Sequence, residues 1–224
     1  MQKFDSYNAG VRHFESLMQS RGLKLDLPGC VVGSGDGNEV HYLAQRWRRA
    51  VIGFDIEIEP GLQRYLMVAQ ADAGCLPLPN DSHSFVFSHH MLEHVKNPAI
   101  VLAETYRILA PGGWLYLGTP NRTRILGYLG SRTARPQDKV LWNIKDYKDR
   151  LLGRFENSMG AHAGFSRRQL VELAQARFSH VEVLSENYQI YKYEEKLPDG
   201  CLAFLLTPKW VDRIMPSHYL LCIK

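Results

Sequence analysis

From Asp5 to Ser20, apolar and aromatic side chains recur at Tyr7, Val11, Phe14, Leu17 and Met18, a rhythm that puts them on one face of a helix. Asp5 or Ser6 is the expected N-cap, because a short polar side chain accepts hydrogen bonds from the first helical amides. After Leu25 to Pro28 a short apolar run, Cys30-Val31-Val32, stops at Gly33-Ser34-Gly35-Asp36-Gly37, and Asn38 to Arg49 then has helical spacing. That order predicts a strand, a glycine turn and a helix. Val51-Ile52-Gly53-Phe54 ends on Asp55, and Leu66 to Ala69 ends shortly before Asp72, giving a second and a third strand. Phe85-Val86-Phe87-Ser88 predicts a buried strand, Pro98 to Leu109 an amphipathic helix, Pro111-Gly112-Gly113 a turn, and Trp114 to Gly118 a fifth strand.

Five strands alternating with helices predict a doubly wound parallel sheet, since parallel neighbours need crossovers and those crossovers cover both faces. The rhythm breaks after Thr119-Pro120-Asn121. Between Arg122 and Ala161 stand nine Lys or Arg residues and four acids, so a basic, helical insertion (122–161) is expected there. Alternation returns with a helix from Ser166 to Ala176, a strand from Phe178 to Leu184 and a last strand from Tyr219 to Ile223. We take residues 1–224 as one domain with a leading helix (5–20), a size that one α/β unit accommodates.

Composition narrows the class. Hydrophobic residues make up 45% and charged residues 22% of the chain, which fits an ordinary globular protein and argues against disorder or fibre. No window holds the roughly 18 apolar residues of a membrane span, and Met1 to Glu15 lacks the apolar core of a signal peptide, so a cytoplasmic protein is expected. Cys30, Cys75, Cys201 and Cys222 show no C-x-x-C spacing, so neither disulfides nor a metal site is expected. A net charge of +4 is too mild to indicate nucleic-acid binding.

A glycine turn between strand and helix lets backbone approach a ligand, and a carboxylate about 20 residues on can bind ribose hydroxyls. Gly33 and Asp55 have that separation. Asp72 is a candidate acceptor for an adenine amine, with the Ala73 N–H as donor to the ring; its competing role is to cap a turn. Val32-Gly33-Ser34-Gly35-Asp36-Gly37, Gly53-Phe54-Asp55, Ala71-Asp72-Ala73, Leu92-Glu93-His94-Val95, Leu109-Ala110-Pro111-Gly112-Gly113 and Thr119-Pro120-Asn121 together resemble the small-molecule, type 11 branch of the class I S-adenosylmethionine (SAM)-dependent methyltransferases. Gly164-Phe165-Ser166 is similar to the turn before that family's next helix. The resemblance implies a Rossmann-like sheet, mostly parallel with an antiparallel last strand and helices on both faces, and SAM as cofactor. By the same resemblance Gly33, Ser34, Gly35 and Gly37 line the methionine and ribose, Asp55 and Ile56 the ribose side, Asp72 and Ala73 the adenine, and Ser88 and His89 the wall near the methyl group. Tyr7 is a further candidate to close over the cofactor. One departure stands out: the family carries an acid two positions before the first glycine, where this sequence has Val31, leaving Asp36 or a water to supply polarity.

Methyl transfer from a sulfonium disperses charge, so alignment does most of the work, and a general base matters when the acceptor is an alcohol. His89, His90 and His162 are the candidate catalytic residues; packing or solvation is the plain alternative for each. The basic insertion suits an acidic, phosphate- or carboxylate-bearing acceptor. Cys201 to Leu206 is apolar enough to cover the core, form a homodimer contact or meet a lipid-linked acceptor. The expected activity is methyl transfer to a small-molecule or glycan-like acceptor at oxygen. Its rivals are a SAM-binding protein without catalysis and an NAD(P)-dependent oxidoreductase, whose G-x-G-x-x-G spacing the glycines at 33, 35 and 37 do not fit.

Overall fold

The structure, a computed structural model, describes residues 8–125, 135–154, 157, 163–207 and 210–224. Tyr7, the expected caps Asp5 and Ser6, and His162 lie outside these residues. The leading helix, α1, runs Ala9–Arg21 and is capped by Asn8 in place of Asp5 or Ser6: the Asn8 carboxamide oxygen accepts the Val11 N–H at 2.8 Å. Val11, Phe14, Leu17 and Met18 are buried, as their spacing requires.

Seven strands form one sheet: β1 (Gly29–Val32), β2 (Val51–Asp55), β3 (Val68–Gln70), β4 (His83–His89), β5 (Leu109–Pro120), β6 (His180–Val183) and β7 (Ser217–Ile223), in the order β3-β2-β1-β4-β5-β7-β6. The first five pair in parallel, and β7 runs antiparallel to both β5 and β6. Strand alternation sends Val31, Phe85, Phe87, Trp114 and Tyr116 to one face, where they meet α1, α2 (Asn38–Trp47) and α6 (Ser185–Tyr193). Cys30, Val32, Val86, Leu115 and Leu117 point to the other face, against α3 (Pro98–Ile108) and α5 (Arg167–Gln175). All four cysteines are free thiols, with Cys30 and Cys222 buried in the strands.

Three expectations change. Pro111-Gly112-Gly113 is not a turn but part of β5, at a place where the β4–β5 register shifts. Gly112 takes a left-handed φ of 75° there, its N–H bonds the Lys224 carbonyl at 2.9 Å, and Lys224 N–H bonds Gly113 at 3.1 Å. The backbone groups that a turn would leave open are thus satisfied from β7. Strand β6 is shorter than expected, because Leu184 becomes the cap of α6. Cys201 to Leu206 does not cover the core: it lies largely within α7 (Asp199–Leu205), where Cys201 and Phe204 are exposed and no described side chain is buried. The expected basic insertion does contain a helix, α4 (Pro136–Leu151). Among the described residues no helix is long and apolar enough to cross a membrane.

Phe14 is the pivot of the first core. It lies fully buried with its ring centroid 5.1 Å from Tyr116, 5.4 Å from Phe85, 5.6 Å from Phe87 and 6.0 Å from Trp47. Phe14→Ala is therefore expected to lower unfolding stability by about 3–5 kcal/mol, read from urea melts. A loss below about 1 kcal/mol would mean that α1 is not seated on this face.

Candidate functional site

The crossover α2 packs on one sheet face and α3 on the other, so the carboxyl ends of neighbouring β1 and β4 open a crevice where open α/β sheets place ligands. The glycine turn enters it from β1. Gly33, Gly35 and Gly37 have φ of 80°, 48° and 77°, a conformation that a Cβ disfavours. It lets the Gly33 and Ser34 N–H groups both donate to the Phe54 carbonyl, at 2.8 and 3.0 Å. A Cβ on Gly33 would strike Met91, whereas Gly35 faces open space.

Asp55, at the end of β2, accepts the Gly35 N–H at 2.8 Å. Ile56 beside it is an exposed apolar side chain. Past β3, Asp72 accepts the Gly74 N–H at 2.8 Å and so caps its own turn, with Ala73 in the same turn. The hydroxyls of Ser34 and Ser88 and the carbonyl oxygen of Asn38 are buried and have no hydrogen-bond partner among the described residues. Such groups are costly unless a ligand or water satisfies them. A glycine cradle with an open centre, a terminal carboxylate and orphaned buried hydroxyls are features that fit a nucleoside-bearing cofactor.

The N-termini of α1 and α2 meet beside this turn. Asn8 bonds the carboxylate of Glu39, the second residue of α2. A Cβ on Gly10 would press on the His89 ring, so α1 passes directly over the end of β4. Burial, assisted by the charge of Asp36, pushes the Glu39 carboxyl up to about 7.

The two adjacent histidines differ sharply. His89 stacks on Phe87, and its Nε2 lies 3.1 Å from the Tyr219 hydroxyl. Burial, with the nearby Lys192 charge, lowers its imidazole to about 4 and keeps it neutral at pH 7. His90 is partly exposed and takes a left-handed φ of 55°. Its Nε2 lies 3.2 Å from Ser217 Oγ, and its Nδ1 lies 3.6 Å from the carboxylate of Glu93. Glu93 is fully buried, accepts the Thr119 hydroxyl at 3.1 Å and lies 3.7 Å from His94 Nε2. Burial raises its carboxyl above the usual range.

The described ends of the basic insertion lie at the same edge of the sheet. Arg124 is buried, bonding the Asn121 carbonyl at 3.1 Å and Asp146 of α4 at 2.9 Å. Asn121 is held in turn by the carbonyls of Asp212 and Met215. The Arg150 guanidinium is held below its ordinary value by burial and then by the positive charge of Arg124, with Asp146 and Tyr147 opposing and Arg122 adding to the shift.

Residues 30–117 match the methyltransferase domain model. The matched stretch runs from β1 into β5 and takes in the glycine turn, Asp55, Asp72, His89 and His90. The chain is 24% identical over 200 residues to a 37.1 kDa protein of transposon TN4556 from Streptomyces fradiae, covering 84% of this chain and 57% of that protein. It is 33% identical over 95 residues to a probable S-adenosylmethionine-dependent methyltransferase of Mycolicibacterium smegmatis, covering 40% of this chain and 37% of that protein. The chain therefore spans little more than half, or less, of these curated relatives. Among solved structures it is similar to Haemonchus contortus phosphoethanolamine N-methyltransferase 2 bound to phosphomonomethylethanolamine and S-adenosylhomocysteine, with a TM-score of 0.59 and 18% identity over 95% of this chain and 52% of that one. At that identity the likeness is one of fold.

The structure thus brings Gly33, Ser34, Gly35, Gly37, Asp55, Ser88, His89 and His90 to one edge of the sheet. Sequence reasoning passed over Glu39, Asn8 and Ser217. Glu93 stood within a quoted motif, but its burial had no signature in the pattern. Because the folded protein holds the Glu39 proton more tightly than the unfolded chain does, stability is expected to fall as pH rises from the ordinary 4.5 to about 7. The loss is on the order of 1–3 kcal/mol. Glu39→Gln keeps an acceptor for Asn8 and should flatten that slope; urea melts at a series of pH values that show the same slope in both proteins would place Glu39 in solvent.

Proposed function

We propose that this chain transfers the methyl group of SAM to an oxygen of a small-molecule or glycan-like acceptor bearing an acidic group. The observation that carries the reading is the crevice itself: a positive-φ glycine cradle at the β1–β4 switch, with Asp55 on one side and the unpartnered Ser34 and Ser88 hydroxyls beneath it. When bound, SAM supplies an electrophilic methyl on a sulfonium. Gly33, Ser34, Gly35 and Gly37 would hold its methionine and ribose, Asp55 the ribose hydroxyls with Ile56 alongside, and Asp72 with Ala73 the adenine. Ser88 and His89 would form the wall beside the methyl, and Tyr7 would close over it.

The proton of the acceptor hydroxyl would pass to His90. The Glu93 carboxyl, 3.6 Å from its Nδ1, would stabilise the imidazolium as the new carbon–oxygen bond forms and the carbon–sulfur bond breaks. His89 is neutral but bonded to Tyr219, which suits a wall better than a base; His162 is the remaining candidate, from the acceptor side. Fixing nucleophile, carbon and sulfur in line contributes most, about 7–11 kcal/mol in favourable cases.

Arg122, Arg124 and Arg150 support an acidic acceptor, since clustered guanidiniums suit phosphate and carboxylate. The phosphorylated ligand of the Haemonchus contortus structure is in keeping with this. We read the chain as one domain acting in the cytoplasm, either alone or as a homodimer.

Thermal unfolding with S-adenosylhomocysteine beside NAD and NADP tests the site. Ligand at about 100 times Kd stabilises by about 2.7 kcal/mol, which should raise Tm by roughly 5–10 °C for S-adenosylhomocysteine only. A shift with the dinucleotides only would make this an oxidoreductase. Asp55→Ala should weaken S-adenosylhomocysteine binding by about tenfold or more, and an unchanged affinity by calorimetry would remove Asp55 from the ribose. His90→Ala should slow turnover by about 10²–10⁴-fold with cofactor affinity preserved. Equal turnover would clear His90 of the base role.

A further inference from the structure

Helix α4 is the most exposed apolar element described in the molecule. At about 100° per residue, Val140, Ile144, Tyr147 and Leu151 fall on one stripe, and their exposure runs from 42% for Tyr147 to 88% for Leu151. Leu141 and Leu152 widen the stripe, and Ile125, whose carbonyl bonds the Tyr147 hydroxyl, extends it. No described side chain of α4 is buried. A surface helix of a globular domain would turn such a stripe into the core.

The charges are arranged around that stripe. Lys148, exposed, borders it on one side and Arg150 on the other; Lys145 stands further round, and Asp138, Asp146 and Asp149 project from the opposite face with the exposed Trp142. Asp146 is already held by Arg124. An apolar stripe bordered by cations, on a helix with modest overall hydrophobicity, is the pattern of a helix that lies in a membrane interface. The five-charge basic excess of residues 122–161 matches an anionic surface. A second copy of the chain is a poorer match, because the same lysines would approach one another across the seam.

We propose that α4 docks this chain on an anionic lipid bilayer, lying in the headgroup region with Val140, Ile144, Tyr147 and Leu151 toward the acyl chains. The stripe anchors without spanning. Because α4 follows β5 at the carboxyl edge of the sheet, docking sets the crevice beside the lipid surface. The inference rests on the surface of α4 alone and stands or falls independently of the methyl-transfer reading.

Vesicle co-sedimentation of the full chain tests it, using vesicles of ~30% phosphatidylglycerol in phosphatidylcholine and vesicles of phosphatidylcholine alone. Sedimentation is expected with the anionic vesicles and should weaken severalfold at about 0.5 M salt. The Ile144→Glu/Leu151→Glu double variant should bind them about tenfold or more weakly. Both positions are exposed, so its melting temperature and its affinity for S-adenosylhomocysteine should match those of the unchanged chain. Equal sedimentation of variant and parent, or none by the parent, overturns the proposal. So does a parent that is dimeric by light scattering, fails to bind vesicles and becomes monomeric in the double variant, which would assign the stripe to self-association. Failure of S-adenosylhomocysteine to bind, with sedimentation intact, would strike the methyl-transfer reading and leave the docking surface in place.

Discussion

The geometry of the site depends on one pairing, the parallel ladder between β1 and β4. Both strands are buried on both faces, and the connections that leave their carboxyl ends go to opposite sides of the sheet: α2 packs with Val31 and Phe87, α3 with Val32 and Val86. The edge between them is left uncovered by either crossover, and the chain fills it with turns. The glycine turn bends back far enough for two consecutive amides to share the Phe54 carbonyl. His89 and His90 arrive at the same edge from β4, one strand away. No separate loop architecture is needed to bring the groups together, because strand adjacency does it.

Burial then divides the titratable groups. His13, His89 and His218 are all lowered chiefly by desolvation and stay uncharged in the interior. His13 fits this closely, with Tyr116 on one ring nitrogen and Asn187 on the other. Glu93 is the exception among the acids: fully buried, yet set among two imidazoles and a threonine hydroxyl. His90 therefore stands partly exposed beside Glu93, while its neighbour His89 is buried against Phe87 and Tyr219. Two residues adjacent in sequence are given different electrostatic surroundings by a single left-handed backbone step.

The alternation of strands and helices was legible because each central strand is a short continuous apolar run bounded by turn residues, as a strand covered on both faces requires. The turn after β1 was legible for a related reason: a positive-φ turn favours glycine, and the residues at strand ends follow in register. What the pattern hid was long-range. Pro111-Gly112-Gly113 has the composition of a turn, and only the partnership with Lys224, far along the chain, makes it strand. The start of α1 was misplaced because Asn8 competes with Asp5 and Ser6 on equal local terms; the structure has it bonding Glu39 as well. The distinction between His89 and His90 depends on Glu93, Tyr219 and Ser217, and two of those three stand more than a hundred residues away. The apolar character of residues 201–206 was read correctly as unusual, but no periodicity shows which side of a helix is left without a neighbour.

The insertion of β7 between β5 and β6 has a consequence for how the chain comes together. Residues 109–120 form an interior strand, yet one of their two neighbours is not made until residues 217–223 are present. Until then the edge of β5 is an open row of amides and carbonyls, bordered by apolar side chains on both faces. Closing that gap means bringing together segments separated by most of the second half of the sequence, which makes it the slow, non-local part of assembly. A growing chain would therefore pass through a stage in which the first five strands are already paired and β5 is still an adhesive edge.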